Sequence, residues 1–206
     1  MKTIILLSGG VDSATLLWSM KGSYDIRALS FRFGSSNKKE MVAARRLAKL
    51  AGVREHTVID VRYLKDISEI LPAEEVSKMG VPPCYIPSRN AIFFGIASYF
   101  AELDGANRIV TGHNSEDNFP DSKKEYLEAI SRAISLGSLL EGGIEVDAPF
   151  SCMNKTQILE LARKLKVPLG LTWSCHKDGA VPCGSCNGCL DLQRAERELA
   201  CREGSG

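Results

Sequence analysis

A chain of 206 residues, 44% apolar and 25% charged, can bury one medium-sized core, which excludes long disordered spans. A formal net charge of +1 provides no broad cationic surface and so argues against non-specific nucleic-acid binding. The apolar run of "MKTIILL" is ended by Ser8, Gly9, Gly10 and Asp12, too early for a signal peptide or a membrane span, so a cytoplasmic protein is expected.

In chain order, "KTIILL" reads as a strand buried on both faces, followed by a helix over 13–21 that Gly22 ends. "DIRALSFRF" is a second strand. "KKEMVAARRLAKLAG" is an amphipathic helix with Met41, Ala44, Leu47, Ala48 and Ala51 on one face and Gly52 as its stop. "EHTVID" is a third strand, and a short helix is expected over 62–70. Residues 71–88, with Pro72, Pro82, Pro83 and Pro87, read as irregular, and a connection that long is usually functional. An apolar helix runs from Arg89 to Asp104. "NRIVTG" and "GIEVDAP" are strands four and five, separated by "HNSEDNFPDS" and a helix over 123–136. Asn154 caps a helix in "NKTQILELARKLK", and a last helix follows Cys189.

This alternation predicts an α/β fold: a doubly wound, mostly parallel five-stranded sheet with helices on both faces and a C-terminal four-cysteine zinc-binding motif. Residues 1–171 would form the α/β domain, with 172–206 a zinc-binding segment and helix packed on it. Ligands in such sheets bind beyond the carboxyl ends of the strands. That rule places 8–13, 33–40, 111–121 and 148–155 on one rim.

"SGGVDS" lies between the first strand and the first helix. Gly9 and Gly10 allow backbone angles closed to other residues, so N–H groups can turn toward an anion at the helix N-terminus. Ser8 and Ser13 add hydroxyl donors. Neither GxxxxGK[ST] nor GxGxxG is present. A carboxylate beside phosphates repels them unless a cation intervenes, which assigns Asp12 to Mg²⁺. The plainer alternative is a glycine turn with an Asp/Ser cap.

Four of the seven cysteines fall in "CHKDGAVPCGSCNGC", as C-x7-C-x2-C-x2-C. Cys175, Cys183, Cys186 and Cys189 would form a closed, structural Zn²⁺ site, with reduced thiols or an iron–sulfur cluster as alternatives. His176 reads as a loop residue. Cys84, Cys152 and Cys201 read as ordinary thiols.

The loop resembles that of the N-type ATP pyrophosphatases, in which it grips the diphosphate of ATP while a substrate oxygen attacks the α-phosphate. The full motif order, "SGGVDS", "IPSRNAIF", "NFPDSKKEY", "DAPFSCMNKTQI" and "CGSCNGC", resembles the 7-cyano-7-deazaguanine synthase family over residues 1 to about 195. That resemblance implies an adenine nucleotide alpha hydrolase-like fold and a homodimer without membrane or direct nucleic-acid partners. It also implies a ligase that joins 7-carboxy-7-deazaguanine and ammonia, with ATP, into a nitrile for queuosine or archaeosine.

Carried over residue by residue, the resemblance implies that Ser8, Gly9, Gly10, Val11, Asp12 and Ser13 hold the nucleotide phosphates, and that Lys155 reaches the same phosphates. Phe31 and Phe33 would border adenine, or belong to the sheet core. Arg89 would bind the α-phosphate or the acceptor carboxylate, or else cap its helix with Asn90. Asp121 would meet the guanine-like edge, or cap the helix at Lys123, whose charge would attract the carboxylate. Phe119 and Tyr85 would stack on the base or pack in the interior. Asp147 would approach the phosphates or orient Lys155, and Glu40 reads as a surface charge. The sequence departs from the family pattern at Ser35 and Asn37 (commonly Gln and His), and at Ser122 and Lys123 (commonly Cys and Arg). These positions lie on the acceptor side, so an adenylating enzyme acting on another deazapurine, a protein or tRNA is the alternative. A zinc-ribbon binding module with a vestigial nucleotide fold is a third reading.

Overall fold

A computed structural model describes residues 1–203 except 35, 36, 82, 83 and 118. Ser35, Pro82 and Pro83 therefore lie outside the described residues. The five strands are β1 (Lys2–Leu6), β2 (Asp25–Arg32), β3 (Glu55–Asp60), β4 (Arg108–Val110) and β5 (Glu145–Asp147), in the order β3-β2-β1-β4-β5. Every pairing is parallel, with Ile4 opposite Ile109 and Leu6 opposite Leu29.

Helices cover both faces. On one, α1 (Val11–Met20), α2 (Lys38–Ala51) and α6 (Lys155–Lys164) enclose Ile5, Leu16, Leu17, Leu47, Val110 and Ile158. On the other, α4 (Arg89–Asp104) and α5 (Lys124–Gly137) bury Ile4, Leu29, Phe93, Phe94, Ile109 and Ile144. The final helix, α7 (Asn187–Glu203), docks Ala195 and Leu199 against Val11 and Leu159. Gly52 and Gly105 end α2 and α4 in the left-handed conformation, where L side chains are strained. Among the described residues, no helix is long and apolar enough to cross a membrane.

Three boundaries differ from the sequence expectation. The stretch 71–88 contains a helix, α3 (Ala73–Lys78), which Pro72 starts as its N-cap. The expected 62–70 helix is only a 3₁₀ turn at Ile67–Glu69. The last helix begins at Asn187, two residues before Cys189, so Cys189 is a helical residue.

The sheet order also fixes where a ligand can sit. From β1 the chain passes through α1 to β2 on one side, while β4 pairs with β1 on the other. The two connections leave in opposite directions and open a crevice at the carboxyl ends of β1 and β4.

Candidate active site

The crevice is floored by the turn between β1 and α1. Gly9 has φ +93°, and a Cβ there would lie 2.4 Å from the Glu40 carbonyl oxygen and 2.8 Å from the Ala44 nitrogen. Only glycine fits, because the turn is pressed against the backbone of α2. The Gly9 N–H donates to Ser13 Oγ (3.2 Å), the Gly10 N–H to Ser8 Oγ (3.2 Å), and the two hydroxyls are 3.0 Å apart. Gly10 gives α1 no side-chain cap, so the positive end of the helix faces the crevice.

Asp12, in the first turn of α1, accepts from Lys155 Nζ at 2.8 and 2.7 Å and from Asn114 Nδ2 at 3.2 Å. Lys155 is positioned by the capping box of α6: the Gln157 N–H donates to Asn154 Oδ1 and the Asn154 N–H to Gln157 Oε1, both at 2.9 Å. Asp147 does not orient Lys155. It pairs with Arg108 on the neighbouring strand: Arg108 lies opposite Glu145, so Asp147, two residues further along β5, is its diagonal neighbour on the same face.

Three connected cavities open from this turn. An apolar slot of about 250 Å³ runs beside β1 and β2, lined by Leu6, Leu29, Phe31, Phe33 and Phe93. Phe31 stacks on Phe93 with centroids 4.0 Å apart, so it belongs both to the core and to the slot wall. A wider groove of about 790 Å³ is lined by Gly10, Asp12, Lys155, Tyr85, Phe119 and Ser174, among others. A chamber of about 260 Å³ lies between them, walled by Arg89, Asn90, Asn37, Phe119 and Ser122. The Arg89 guanidinium sits 5.7 Å from the Phe33 ring centroid. Tyr85 and Phe119 stack on each other (5.6 Å, 21°) along the groove, leaving flat apolar surface for a heterocycle.

Two expected contacts are spent elsewhere. Asp121 Oδ2 accepts the Asn90 N–H (3.1 Å) and its carbonyl accepts from Asn90 Nδ2 (3.0 Å). It therefore caps α4, neither meeting the cavity nor capping α5. Lys123 is exposed and donates to the Asp117 carbonyl oxygen at 2.7 Å, outside the cavity walls. His176 and Cys84, by contrast, both line the groove and the chamber.

His113 and Asn114 are site residues that the sequence did not single out. Asn90 Nδ2 donates to His113 Nε2 (3.1 Å), which leaves His113 Nδ1–H to donate to Thr111 Oγ1 (3.0 Å). Desolvation lowers the His113 pKa, so the ring is neutral in that tautomer near pH 7. Only the position of "HNSED" directly after the fourth strand hinted at these residues.

Glu40 is not a surface charge. The first turn of α2 backs onto Gly9, which turns Glu40 into the cavity wall. Burial pushes its carboxyl from 4.5 up to about 8, opposed by Arg89 and reinforced by Asp178. The folded state therefore binds this proton more tightly than the unfolded state. Between pH 4.5 and about 8, the ligand-free protein should lose stability as pH rises. The expected loss is on the order of 2–4 kcal/mol, and Glu40→Gln should flatten the slope in urea titrations across that range.

The Sγ atoms of Cys175, Cys183, Cys186 and Cys189 all lie within 4.8 Å of one another. The backbone N–H groups of Cys183 and Lys177 donate to Cys175 Sγ (3.3 and 3.4 Å), and that of His176 to Cys186 Sγ (3.4 Å). Such donors stabilise thiolate charge, so the four sulfurs could hold a metal ion. Gly188 is required here because a Cβ would lie 2.1 Å from the Ser174 carbonyl oxygen. The segment entering this knot also braces the phosphate turn. Trp173 N–H donates to the Gly9 carbonyl (2.9 Å), and Val11 N–H to Ser174 Oγ (3.4 Å).

Residues 2–200 match the family model described as "Queuosine biosynthesis protein QueC". The chain is 38% identical over 210 residues to 7-cyano-7-deazaguanine synthase of Prochlorococcus marinus (strain NATL2A), covering 96% of this chain and 93% of the relative. It is 36% identical over 215 residues to the enzyme of that name from Methanospirillum hungatei, covering 98% of both. Among solved structures, an NH3-dependent NAD synthetase from Campylobacter jejuni superposes with a TM-score of 0.51 at 16% identity, over 82% of this chain and 66% of its own. At that identity the likeness concerns the fold alone.

Proposed function

The chain belongs to the QueC family of queuosine biosynthesis proteins, and from that premise we propose how its crevice performs the family's reaction. It is an ATP-dependent ligase that makes 7-cyano-7-deazaguanine from 7-carboxy-7-deazaguanine and ammonia. The observation carrying the mechanism is the glycine turn at the start of α1, with no capping side chain of its own, shared by an apolar slot and a wide aromatic-lined groove.

In this reading adenine enters the slot beside Phe31, Phe33 and Phe93. The backbone of Gly9, Gly10 and Val11, with the hydroxyls of Ser8 and Ser13, holds the diphosphate. Lys155 adds positive charge to the phosphates as a third donor group. A bound Mg²⁺ would be held by Asp12 and would neutralise phosphate charge there. The acceptor base stacks along Tyr85 and Phe119, and Arg89 grips its carboxylate against the α-phosphate. Asp117, which lines both groove and chamber, takes the role of hydrogen-bonding the guanine-like edge in place of Asp121. Asn90 acts through His113 as a positioning residue.

The metal is proposed to be zinc. A tetrahedral Zn²⁺ with bonds of about 2.3 Å places sulfurs about 3.8 Å apart. The Cys175–Cys186 separation of 3.9 Å fits one ion rather than a multi-iron cluster, which spreads its ligands further. The 172–206 segment is then a metal-stapled extension of the 1–171 domain. For the homodimer, Tyr99 and Leu103 of α4, Leu136 of α5 and Leu139 just after it offer exposed apolar surface. A free-base acceptor and reduced thiols fit a cytoplasmic enzyme with no nucleic-acid or membrane partner.

The test is direct. Protein incubated with 7-carboxy-7-deazaguanine, ammonium and MgATP should release 7-cyano-7-deazaguanine, AMP and diphosphate, identified by mass spectrometry. Zinc-loaded, folded protein that yields none of the three overturns the reading.

A further inference from the structure

Glu40 is the one residue, among those described, that lines the slot, the groove and the chamber together. Ser8 and Asp12 of the phosphate turn share the slot and the groove with it, and Arg89 shares the slot and the chamber. An acceptor carboxylate can meet the α-phosphate only where these spaces join. Nothing in nucleotide binding uses Glu40, yet its place is fixed. Its backbone carbonyl rests on Gly9, and Asn37, whose amide donates to the Phe31 carbonyl (2.9 Å), also hydrogen-bonds its carboxyl.

We propose that Glu40 is the catalytic base that removes protons from the ammonia-derived nitrogen during amide and nitrile formation. The proposal rests on the reading given under Proposed function. In the first round the nitrogen lone pair adds to the carbonyl carbon of the acyl adenylate. The bond from that carbon to the phosphate-bearing oxygen breaks, and AMP leaves with the electron pair. One N–H proton passes to the Glu40 carboxylate, leaving a neutral amide. In the second round the amide oxygen attacks the α-phosphorus of a second ATP and diphosphate leaves. The nitrogen then gives up two protons in succession to Glu40, which discharges each to solvent. The carbon–oxygen bond breaks as the triple bond forms, and AMP departs again.

The surroundings suit a base of this strength. Burial holds the carboxyl up at about 8, near the pH at which ammonia itself becomes available, so its affinity for a nitrogen-borne proton is well matched. Arg89 of α4 opposes that rise and Asp178 of the knot loop adds to it. The other ionisable groups on the joined cavities are Asp12 of α1, His113 after β4, Asp66, Cys84, Tyr85, Glu116, Asp117 and His176 on the facing loops, Lys155 of α6 and Asp191 of α7.

Glu40→Gln, of equal volume, separates the steps. Acceptor-dependent ATP–diphosphate exchange reads adenylation, mass spectrometry reads amide and nitrile, and kcat is followed from pH 6.5 to 9. The expected result is exchange within about threefold of wild type, with amide and nitrile formation down by about 10²–10³-fold. At constant free ammonia, the rise with pH that the Glu40 carboxyl imposes on the wild-type amide-forming rate should vanish in the variant. Glu40→Asp should recover part of the rate and retain the pH limb. Equal loss of exchange and amide formation would reduce Glu40 to a structural part, and an unchanged amide rate or pH limb would remove it from the chemistry. Wild-type protein that shows no acceptor-dependent exchange overturns the functional reading first, and this role with it.

Discussion

Replacing Asp12 by asparagine is expected to lower AMP and diphosphate release by about 10³-fold or more while the protein remains folded. A metal ion at a phosphoryl centre supplies several kcal/mol of charge stabilisation, and each 1.36 kcal/mol is about tenfold in rate. Asparagine keeps the volume and one acceptor oxygen for Lys155, so the contact between α1 and α6 survives at reduced strength. The side chains of the Lys155–Asp12 pair are 12% and 21% exposed, between a surface pair and a buried one. The stability change should therefore stay within about 2 kcal/mol. Two measurements separate a cation-holding role from a mere anchor for Lys155. If Asp12 holds Mg²⁺, the residual rate of Asp12→Asn should need far more magnesium to saturate, whereas Lys155→Ala should leave that requirement close to wild type. Identical magnesium curves for wild type and Asp12→Asn would make the aspartate a positioning residue only.

The sequence disclosed those parts of the site whose chemistry is local. A glycine pair between a buried strand and a helix can be recognised without tertiary information, because such a turn calls for a left-handed residue, and Gly9 takes φ +93°. Cysteine spacing is equally local, since cysteines with two residues between them can bring their sulfurs to the same ion. Helix pattern was legible for α2, α4 and α6, where apolar period and stop signals agree. Side chains whose role depends on what packs against them were not legible. Glu40 occupies an ordinary polar position of α2, and only the pressure of that helix on the phosphate turn makes it a cavity wall. Asp121 precedes α5 in sequence, yet it caps α4 because the 119–122 turn folds back on the start of that helix. Strand order, too, is a tertiary fact, and with it the location of the crevice between β1 and β4.

Cys186→Ser is expected to remove the metal and to damage the active site from a distance. A structural zinc site contributes its binding energy to folding, so losing one thiolate should cost more than about 3 kcal/mol. The damage should have a defined boundary. Ala195 and Leu199 of α7, 1% and 3% exposed, are held by apolar contact with Val11 and Leu159 and not by the knot. The outer part of α7 should therefore stay docked while 173–190 opens. Three contacts of that segment reach the catalytic machinery. Trp173 bonds the Gly9 carbonyl, Ser174 meets the Val11 N–H, and Asp178 accepts the Lys38 and Lys39 N–H groups at the start of α2 (3.0 and 2.8 Å). Once the knot loosens, the phosphate turn loses its brace and α2 loses the carboxylate at its positive end. Amide exchange should accordingly rise in 8–13 and 37–41 as well as in 173–190, and nucleotide affinity should fall along with the melting temperature. The measurements are metal content by elemental analysis, hydrogen exchange by mass spectrometry and ATP binding by calorimetry. Unchanged metal content and melting would refute the tetrathiolate site. Loss of metal with normal exchange at 8–13 would show that the knot is a local staple with no hold on catalysis.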